Sequence, residues 1–444
     1  MKLVATFLTA LFLAYACSTE RPADQPRENT SGPIRLVFKH HKVAGDPKYL
    51  DELLSRFEAE NPQIKVEEQT LPASTDEQHR FYITNLEARV SDFDVFALDV
   101  IWPPEFARAG AAAAQNGTAG QKRGWLLDLT SYFSEVDFSE MIPGPVAADH
   151  FAGRLYAVPW YVDAGMLYYR KDLLEKYGFD PPLTVEDLAR TTKAILKKEN
   201  NPFLHGFIWQ GRQYEGLVCV VLEYIWGNGG EVIDSTGRVA IADSAAVEAL
   251  AFMRRLIEEK ISPSLVTTAN EEMTRHIFGS GRAVFMRNWP YAWSLMQAEG
   301  SAVRGKVGIT VMPHFQGGQS AATLGGWQLG VNRFSRYPEA AIKLVKFLAR
   351  RESQKFVALH TGLKPAWKDL YEDPELRAAQ PFVAELLPVL MSARPRPVTP
   401  YYLMISQILQ AEFSAIITGI KPPEKGLDDA RKQIEFLLGS GESD

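Results

Sequence analysis

The sequence predicts an α/β protein of two or three lobes, and three observations lead to this prediction. The chain has 444 residues, which is more than a single hydrophobic core usually holds. Hydrophobic residues make up 46% of it and charged residues 23%, proportions that are ordinary for soluble globular proteins. Residues 34–39, 47–60 and 64–67 have in turn the patterns of a strand, an amphipathic helix and a strand. This order favours a parallel or mixed sheet with helices on its faces.

Strand and helix patterns continue to alternate along the chain. Further strands are predicted at residues 93–99, 206–209, 283–286, 307–312 and 322–331. Further helices are predicted at residues 78–89, 184–199, 216–226, 245–259, 271–278 and 338–349, and from residue 374 to the end. The last helical region is interrupted at residues 394–402, because their three prolines cannot lie inside a helix. Residues 111–123 are low in complexity, and we interpret them as a surface insertion.

The beginning of the chain predicts a targeting segment. An apolar run at residues 3–16 ends directly at Cys17, and it is shorter than the roughly 20 residues of a membrane-spanning helix. Such a run is typical of a signal peptide. Residues 18–33 are polar and rich in Pro, Ser and Thr, as expected of a flexible tether.

The end of the apolar run resembles a bacterial lipobox, the sequence LAYAC at residues 13–17. This resemblance implies that residues 1–17 are a lipoprotein-type signal peptide and that Cys17 becomes the lipid-carrying first residue of the mature chain. Ala14 stands where lipoboxes most often have Leu, so simple secretion stays open as an alternative.

Charge and composition exclude several classes of function. The net charge of −6 disfavours a nucleic-acid-binding protein, because no basic excess is present to neutralise phosphates. The eight His are scattered and no Cys/His cluster has metal-ligand spacing, so we expect no metal or other cofactor. Cys219 lies in the apolar run LVCVVL and is predicted to belong to the core.

Aromatic and charged residues follow the ends of several predicted strands. The stretch at residues 154–174, RLYAVPWYVDAGMLYYRKDLL, places Tyr161 and other aromatic rings around Asp163, and Asp99 ends another strand. Ligands of open α/β sheets lie beyond such strand ends. Sugar rings stack on aromatic rings, and their hydroxyls suit carboxylates and arginine, so the pattern indicates a carbohydrate site. Each residue alone also fits an ordinary role, an aromatic ring in the core or Asp99 as a helix cap.

Five motifs together resemble the family 1 extracellular solute-binding proteins, and they are most similar to the trehalose/maltose-binding branch that serves ABC importers. The motifs are FALDVIW at 96–102, VPWYVDAGMLYYRKDLL at 158–174, RNWPY at 287–291, LGGW at 324–327 and RPVTPYY at 396–402. The resemblance covers residues 34–438. It implies a type II-like periplasmic-binding-protein fold, with a ligand cleft between two α/β lobes joined by several hinge crossovers. We expect one lobe at 34–162 and 308–350, and the other at 163–307 and 363–438.

The resemblance implies a receptor rather than an enzyme. It would capture an α-glucoside disaccharide of the trehalose or maltose type by hinged closure of its lobes and deliver it to the transmembrane subunits of an ABC permease. It would act as a monomer in the periplasm or at the cell surface, where its N-terminal lipid alone contacts the membrane.

The resemblance also implies a set of ligand-binding residues. In this set Asp99 and Asp163 accept hydrogen bonds from sugar hydroxyls, Arg396 donates them, aromatic rings stack, and Gly326 lets the backbone approach. The set is Asp99, Tyr161, Asp163, Trp289, Tyr291, Gly326, Trp327 and Arg396, with His41 as a further candidate in the first strand-to-helix turn.

Two alternatives stay open. The ligand could be another oligosaccharide, a polyol-type solute, a glycerol-phosphate ester or a peptide. The lack of a basic cluster near the proposed site disfavours a phosphate ester. A periplasmic glycoside hydrolase using Asp99 and Asp163 is a second alternative, and it would need carboxyl groups roughly 5 to 9.5 Å apart.

Overall fold

The computed structural model of the protein describes residues 32–42, 48–72, 74–108 and 124–441. The predicted signal peptide with Cys17, nearly all of the tether and the 111–123 insertion lie outside these residues. The strands are β1 (Ile34–His41), β2 (Ile64–Leu71), β3 (Val95–Asp99), β4 (His150–Phe151), β5 (Arg154–Leu155), β6 (Ala157–Ala164), β7 (Met166–Arg170), β8 (His205–Ile208), β9 (Ala283–Asn288), β10 (Val307–Thr310) and β11 (Leu324–Val331).

Helices surround these strands. They are α1 (Lys48–Glu60), α2 (Thr75–Glu87), α3 (Pro103–Arg108), α4 (Pro143–Ala148), α5 (Lys171–Tyr177), α6 (Val185–Glu199), α7 (Glu215–Gly227), α8 (Ser244–Glu258), α9 (Glu271–Gly279), α10 (Ala292–Met296), α11 (Pro338–Ala349), α12 (Arg351–Thr361), α13 (Pro374–Ala379), α14 (Val383–Ser392), α15 (Tyr402–Ile417) and α16 (Pro423–Gly441). None of the helices in the described part of the chain has the length and apolarity needed to cross a membrane.

The first lobe is built on a five-stranded sheet with the order β2-β1-β3-β11-β6. β1 runs parallel to β2 and β3, whereas β11 is antiparallel to β3 and β6. This arrangement confirms the predicted strand, helix, strand opening. α1 covers one face of the sheet because its apolar residues recur at helical spacing, and Leu50, Leu53 and Phe57 are all buried.

The second lobe is built on a four-stranded sheet with the order β10-β7-β9-β8. Every residue of α7 is buried, as expected of a strongly apolar helix inside a large core, and its two acids, Glu215 and Glu223, pair with Arg396 and Arg287. Cys219 of α7 is a buried free thiol, which confirms its prediction as a core residue. Each lobe thus has a mixed sheet with helices packed on it, which confirms the predicted fold class.

The chain crosses between the two sheets at places that differ slightly from the predicted boundaries. β6 belongs to the first sheet up to Ala164 and β7 begins the second at Met166, so the first crossing lies at Gly165 rather than after residue 162. We predicted that the segment from residue 308 returns to the first lobe, and this is wrong for β10. β10 pairs with β7 in the second sheet, because an apolar strand pattern does not specify which sheet receives it.

The second crossing lies between β10 of the second sheet and β11 of the first, and a third crossing follows α12. The backbone N–H of Val162 in β6 donates to the carbonyl of Lys364 at 2.9 Å, so the chain passes beside β6 on its way to α13 and α14. The three crossings bring residues 162–166, 311–323 and 362–366 to the junction of the lobes. Any ligand cleft between the lobes is therefore bordered by these segments.

Candidate functional site

Three predicted site residues form one row across the first sheet. Trp327 of β11 pairs with Asp99 of β3 on one side and with Tyr161 of β6 on the other. Gly325, two residues earlier in β11, pairs with Asp163. Because β11 is antiparallel to β3, its first residues meet the carboxyl end of β3, and the sheet itself brings these separate motifs together.

Gly326 precedes Trp327 in β11 and pairs with Val162 of β6, and close packing against β6 explains why this position is a glycine. Its φ angle is +112°, a conformation that L-residues with a side chain rarely adopt. A Cβ atom there would collide with the backbone of Tyr161 and Val162. The glycine is thus required by close packing against β6, whether or not a ligand also approaches it.

A β-bulge at Trp160 gives β6 two consecutive inward-facing aromatic rings. The register moves from Tyr161 opposite Trp327 to Pro159 opposite Gln328, which leaves Trp160 without a partner residue on β11. In a regular strand neighbouring side chains alternate between faces, and a bulge interrupts that alternation. Trp160 and Tyr161 consequently both belong to the core cluster of the first lobe.

His41, at the end of β1, contacts this row directly. Its ring centroid lies 3.9 Å from that of Trp327, and its Nε2 lies 2.6 Å from the hydroxyl of Tyr161. Burial lowers the pKa of His41 well below its usual value, with a further contribution from His40, so the imidazole is neutral. Burial raises the pKa of Tyr161 well above its usual value, so the phenol keeps its proton, and we assign the phenol O–H as the donor of the hydrogen bond to Nε2.

This hydrogen bond determines the tautomer of the His41 imidazole. With Nε2 as the acceptor, the neutral ring carries its proton on Nδ1. Nδ1 is buried and has no hydrogen-bond partner, and a buried donor without a partner is costly. His41 therefore supplies a spare N–H donor next to the stacking surface of Trp327.

The aromatic residues after β9 form the wall contributed by the second lobe. The indole of Trp289 lies over the guanidinium of Arg287, 4.0 Å from its Cζ to the ring centroid. Arg287 is fully buried and pairs with Glu223 at 2.5 Å. A Cβ atom at Gly325 would lie 3.0 Å from the Trp289 ring and 3.3 Å from the Cβ of Asp163. Trp289 thus meets the row of the first sheet beside Asp163.

Two acids in the first turn of α9 hold these aromatic residues, and sequence reasoning missed them. Glu271 accepts hydrogen bonds from the hydroxyl of Tyr214 at 2.7 Å and from Nε1 of Trp289 at 3.4 Å. Glu272 accepts one from the hydroxyl of Tyr291 at 2.9 Å. Acids are common in the first turn of any helix because they complement its dipole, so the sequence carried no signal of this additional role.

Arg396 joins both lobes through two carboxylates. Its Nη2 lies 3.0 Å from Oδ1 of Asp99 and its Nη1 lies 2.8 Å from Oε1 of Glu215, the first residue of α7. Glu215 also accepts hydrogen bonds from the hydroxyls of Tyr402 at 2.7 Å and of Ser406. Both terminal nitrogens of Arg396 are engaged by the protein, and only its Nε is buried without a partner.

Glu215 was not among the predicted site residues. An acid at the start of a strongly apolar helix is a signal for a buried partner, since charged residues are almost never fully buried unless paired. Burial raises the pKa of Glu215, and the positive charge of Arg396 opposes this shift.

Asp163 is the predicted site residue with the most unusual electrostatic environment. Burial raises its pKa to about 7, although the charges of Lys364 and Arg287 act in the opposite direction. Lys364 at the third crossing is fully buried, and burial lowers its pKa to about 7. Oδ1 of Asp163 is buried without a hydrogen-bond partner. Oδ1 of Asp163 is therefore available to accept a hydrogen bond from a ligand.

The structure brings the predicted residues together in two groups. His41, Asp99, Tyr161 and Trp327 belong to the first lobe, and Trp289 and Tyr291 belong to the second. Asp163 lies at the first crossing, and Arg396 pairs with a carboxylate of each lobe. Tyr291 packs against the core clusters of both lobes. The arrangement brings aromatic faces, carboxylate acceptors and a histidine side chain together near the junction of the lobes.

Comparison with known proteins agrees with this architecture. The family described as bacterial extracellular solute-binding protein matches residues 43–355. A Deinococcus radiodurans protein described as a probable ABC transporter-binding protein is 36% identical over 378 residues, which cover 84% of this chain and 86% of that protein.

Solved structures show the same fold. Maltose-bound MalE3 of T. maritima superimposes with a TM-score of 0.83 at 43% identity, covering 91% of this chain and 100% of that one. The GacH receptor of Streptomyces glaucescens, solved unliganded and with acarbose, gives a TM-score of 0.78 at 22% identity over 92% of this chain and 99% of that one. This chain belongs to the bacterial extracellular solute-binding proteins.

Proposed function

We propose that the protein is the extracytoplasmic receptor of an ABC importer and that it captures an α-glucoside disaccharide of the trehalose or maltose type. The observation that carries this proposal is the buried Oδ1 of Asp163, which has no partner and lies between the aromatic walls of the two lobes. A hydroxyl-rich ring with apolar faces satisfies both features, because it can stack and donate hydrogen bonds at once.

The residues would share the recognition as follows. Asp163 accepts hydrogen bonds from sugar hydroxyls, the Nδ1–H of His41 donates one, and Trp289 and Trp327 stack on the sugar from opposite lobes. Asp99 and Arg396 form an ion pair, with 3.0 Å between Oδ1 and Nη2. The ligand would therefore meet two side chains that are already held in position. Preorganisation lowers the cost of ordering side chains on binding.

The comparisons support an α-glucoside as the ligand. The structure with 43% identity carries maltose, and that identity extends over nearly all of this chain. More distant relatives of the same fold carry acarbose or D-mannitol, and their identity is too low to guide the choice of ligand.

Binding would close the two lobes by hinge motion at the three crossings, since groups from both lobes can reach one sugar only in the closed state. We further propose that Cys17 carries a lipid which anchors the monomeric receptor to the membrane beside its permease. Metabolic labelling with a radioactive fatty acid tests this anchor, and a Cys17→Ala chain should remain unlabelled.

The glycoside hydrolase alternative is disfavoured by the partner of Asp99. Arg396 pairs with Oδ1 of Asp99 at 3.0 Å, so this carboxylate is held in an ion pair and is not free to serve as one of a catalytic pair. Incubation with maltose and trehalose should release no glucose.

A thermal-shift screen across sugars tests the proposed function. A ligand present at 100 times its dissociation constant stabilises the folded state by about 2.7 kcal/mol, which is readily detected. We expect maltose or trehalose to raise the melting temperature, while mannitol, glycerol phosphate and a tripeptide should leave it unchanged. A shift with one of the latter compounds and none with either disaccharide would refute the proposal.

A further inference from the structure

Two segments from different lobes run beside each other in a line of contacts that we call the seam. Residues 99–108 of the first lobe comprise the end of β3 and α3, and residues 395–401 lead into α15, which packs on α7 in the second lobe. The seam begins at the ion pair between Asp99 and Arg396. It continues around a cavity of about 10 Å³, room for about one water molecule, whose lining includes Val100, Ile101, Pro104, Pro395, Pro397 and Val398. The two segments are therefore closely packed.

The seam ends at a cation–π contact between Arg108 and Tyr401, a pair that we call the clasp. The guanidinium Cζ of Arg108 lies 4.5 Å from the ring centroid of Tyr401, within the distance at which a cation is attracted to an aromatic ring. Arg108 is the last residue of α3, whereas Tyr401 directly precedes α15 and packs against the core of the second lobe. The clasp thus joins one helix of each lobe.

The clasp lies apart from the predicted sugar-binding residues. Neither Arg108 nor Tyr401 belongs to the row of the first sheet or to the wall contributed by the second lobe, and α3, with its six residues, adds a length of about 9 Å between β3 and the clasp. Because α3 and β3 share one core cluster, α3 moves as part of the first lobe. A hinge motion that draws Asp99 away from Glu215 therefore also draws Arg108 away from Tyr401, and the clasp has to break before the lobes can separate.

We propose that the clasp slows the opening of the lobes and thereby the release of the ligand, an inference that rests on the proposed function. Arg108 and Tyr401 are positioning residues, because they act through the arrangement of the lobes rather than through contact with the sugar. The clasp contributes equally whichever sugar is bound, so it changes the lifetime of the complex and leaves the preference among sugars unchanged. A cation–π contact of this kind should change the release rate about three- to tenfold.

Stopped-flow fluorescence with maltose and trehalose measures the release rate. Arg108→Met removes the cation and Tyr401→Leu removes the aromatic face, so each substitution should accelerate release about three- to tenfold with little change in the association rate. The double variant should release sugar no faster than either single variant, because one substitution already breaks the clasp. Arg108→Lys keeps a cation over the ring and should recover part of the loss.

A matched control is Arg56→Met, which removes a cation–π contact of 4.2 Å to Phe356 within the first lobe and should leave the release rate unchanged. A second readout needs no sugar. Small-angle X-ray scattering of the ligand-free proteins should give a larger radius of gyration for Arg108→Met than for the wild type, because the clasp favours the arrangement in which the lobes touch.

The outcomes separate the clasp from the proposed function. Release at the wild-type rate from both Arg108→Met and Tyr401→Leu would overturn the clasp and leave the proposed function intact. An equal acceleration in Arg56→Met would also overturn it, because the effect would then not be specific to a contact between the lobes. If the wild type binds neither disaccharide, the proposed function is wrong, and equal radii of gyration of wild type and Arg108→Met would then overturn the clasp as well.

Discussion

The Nη2 atom of Arg396 lies 3.0 Å from Oδ1 of Asp99, and both side chains are almost fully buried. The same guanidinium pairs with Glu215 of the second lobe at 2.8 Å. A single side chain thus connects the carboxyl end of β3 with the beginning of α7. Because the two carboxylates belong to different lobes, Arg396 stabilises the contact between the lobes.

Replacement of Arg396 should therefore be costly. Arg396→Met leaves two buried carboxylates without their cation, and breaking a buried pair in this way costs about 3–5 kcal/mol. Urea unfolding followed by tryptophan fluorescence measures the change. Arg154→Met breaks an exposed pair with Asp128 and should change the unfolding free energy by less than about 1 kcal/mol. Equal effects of the two substitutions would contradict this account.

The affinity for sugar should depend on pH through Asp163. Its pKa is about 7, so below pH 7 the free protein holds a proton there, whereas hydroxyl donors favour the ionised carboxylate. The affinity should accordingly rise by up to about tenfold per pH unit as pH increases toward 7, and then level off. Calorimetry between pH 5.5 and 7.5 measures this profile. A flat profile would show that Asp163 does not change its charge on binding.

Lys364 should set the midpoint of that profile. Its positive charge lowers the pKa of Asp163, so Lys364→Met should move the midpoint to higher pH and weaken binding at pH 7. Asp163→Asn has no titrating carboxyl group and should give a profile without this step. An unchanged midpoint in Lys364→Met would mean that the two groups are not coupled.

Glu272 should affect binding without contacting the sugar, because it holds the hydroxyl of Tyr291 at 2.9 Å. Glu272→Ala should weaken the affinity roughly tenfold, the value of one hydrogen bond to a charged group. Glu272→Gln keeps an acceptor and should recover most of the loss, while Glu258→Ala provides a control on the neighbouring helix α8. The role of Glu272 would be refuted if the Ala and Gln variants were equally impaired.

Gly326→Ala should destabilise the first sheet. The positive φ angle and the collision of a Cβ atom with the backbone of β6 each cost of the order of 1–3 kcal/mol. By contrast, a Cβ at Gly439 in α16 would meet no atom within 4 Å, so Gly439→Ala should be neutral or slightly stabilising. Thermal unfolding compares the two variants, and a melting temperature of Gly326→Ala equal to that of the wild type would contradict the packing argument.

Local patterns predicted the elements well where periodicity was strong. α11 has its predicted bounds, and Thr184 caps α6 by accepting from the N–H of Asp187 at 3.1 Å. The pairing of β3 with β11 joins residues more than 200 positions apart, and no local pattern encodes such a pairing. For the same reason the local pattern of β10 did not show that this strand pairs with β7 in the second sheet.

The site was predictable only in part, for a related reason. Tyr161, Trp289 and Trp327 belong to short motifs, so the resemblance to a family located them. The groups that orient them, such as Glu271 and Glu272, lie in the first turn of α9, where acids occur for general reasons. Their role depends on side chains from distant parts of the chain and becomes visible only in three dimensions.

Calorimetric titration of the wild type and of Asp163→Asn with maltose and trehalose is the most direct test of the central claim. Loss of the carboxylate acceptor should weaken binding of the preferred disaccharide by about 1.5–3 kcal/mol, which is roughly ten- to 150-fold in affinity. The urea midpoint of the variant should stay close to that of the wild type, because burial already penalises the ionised form of Asp163. Identical affinities of the two proteins, or no binding of either disaccharide by the wild type, would contradict the account.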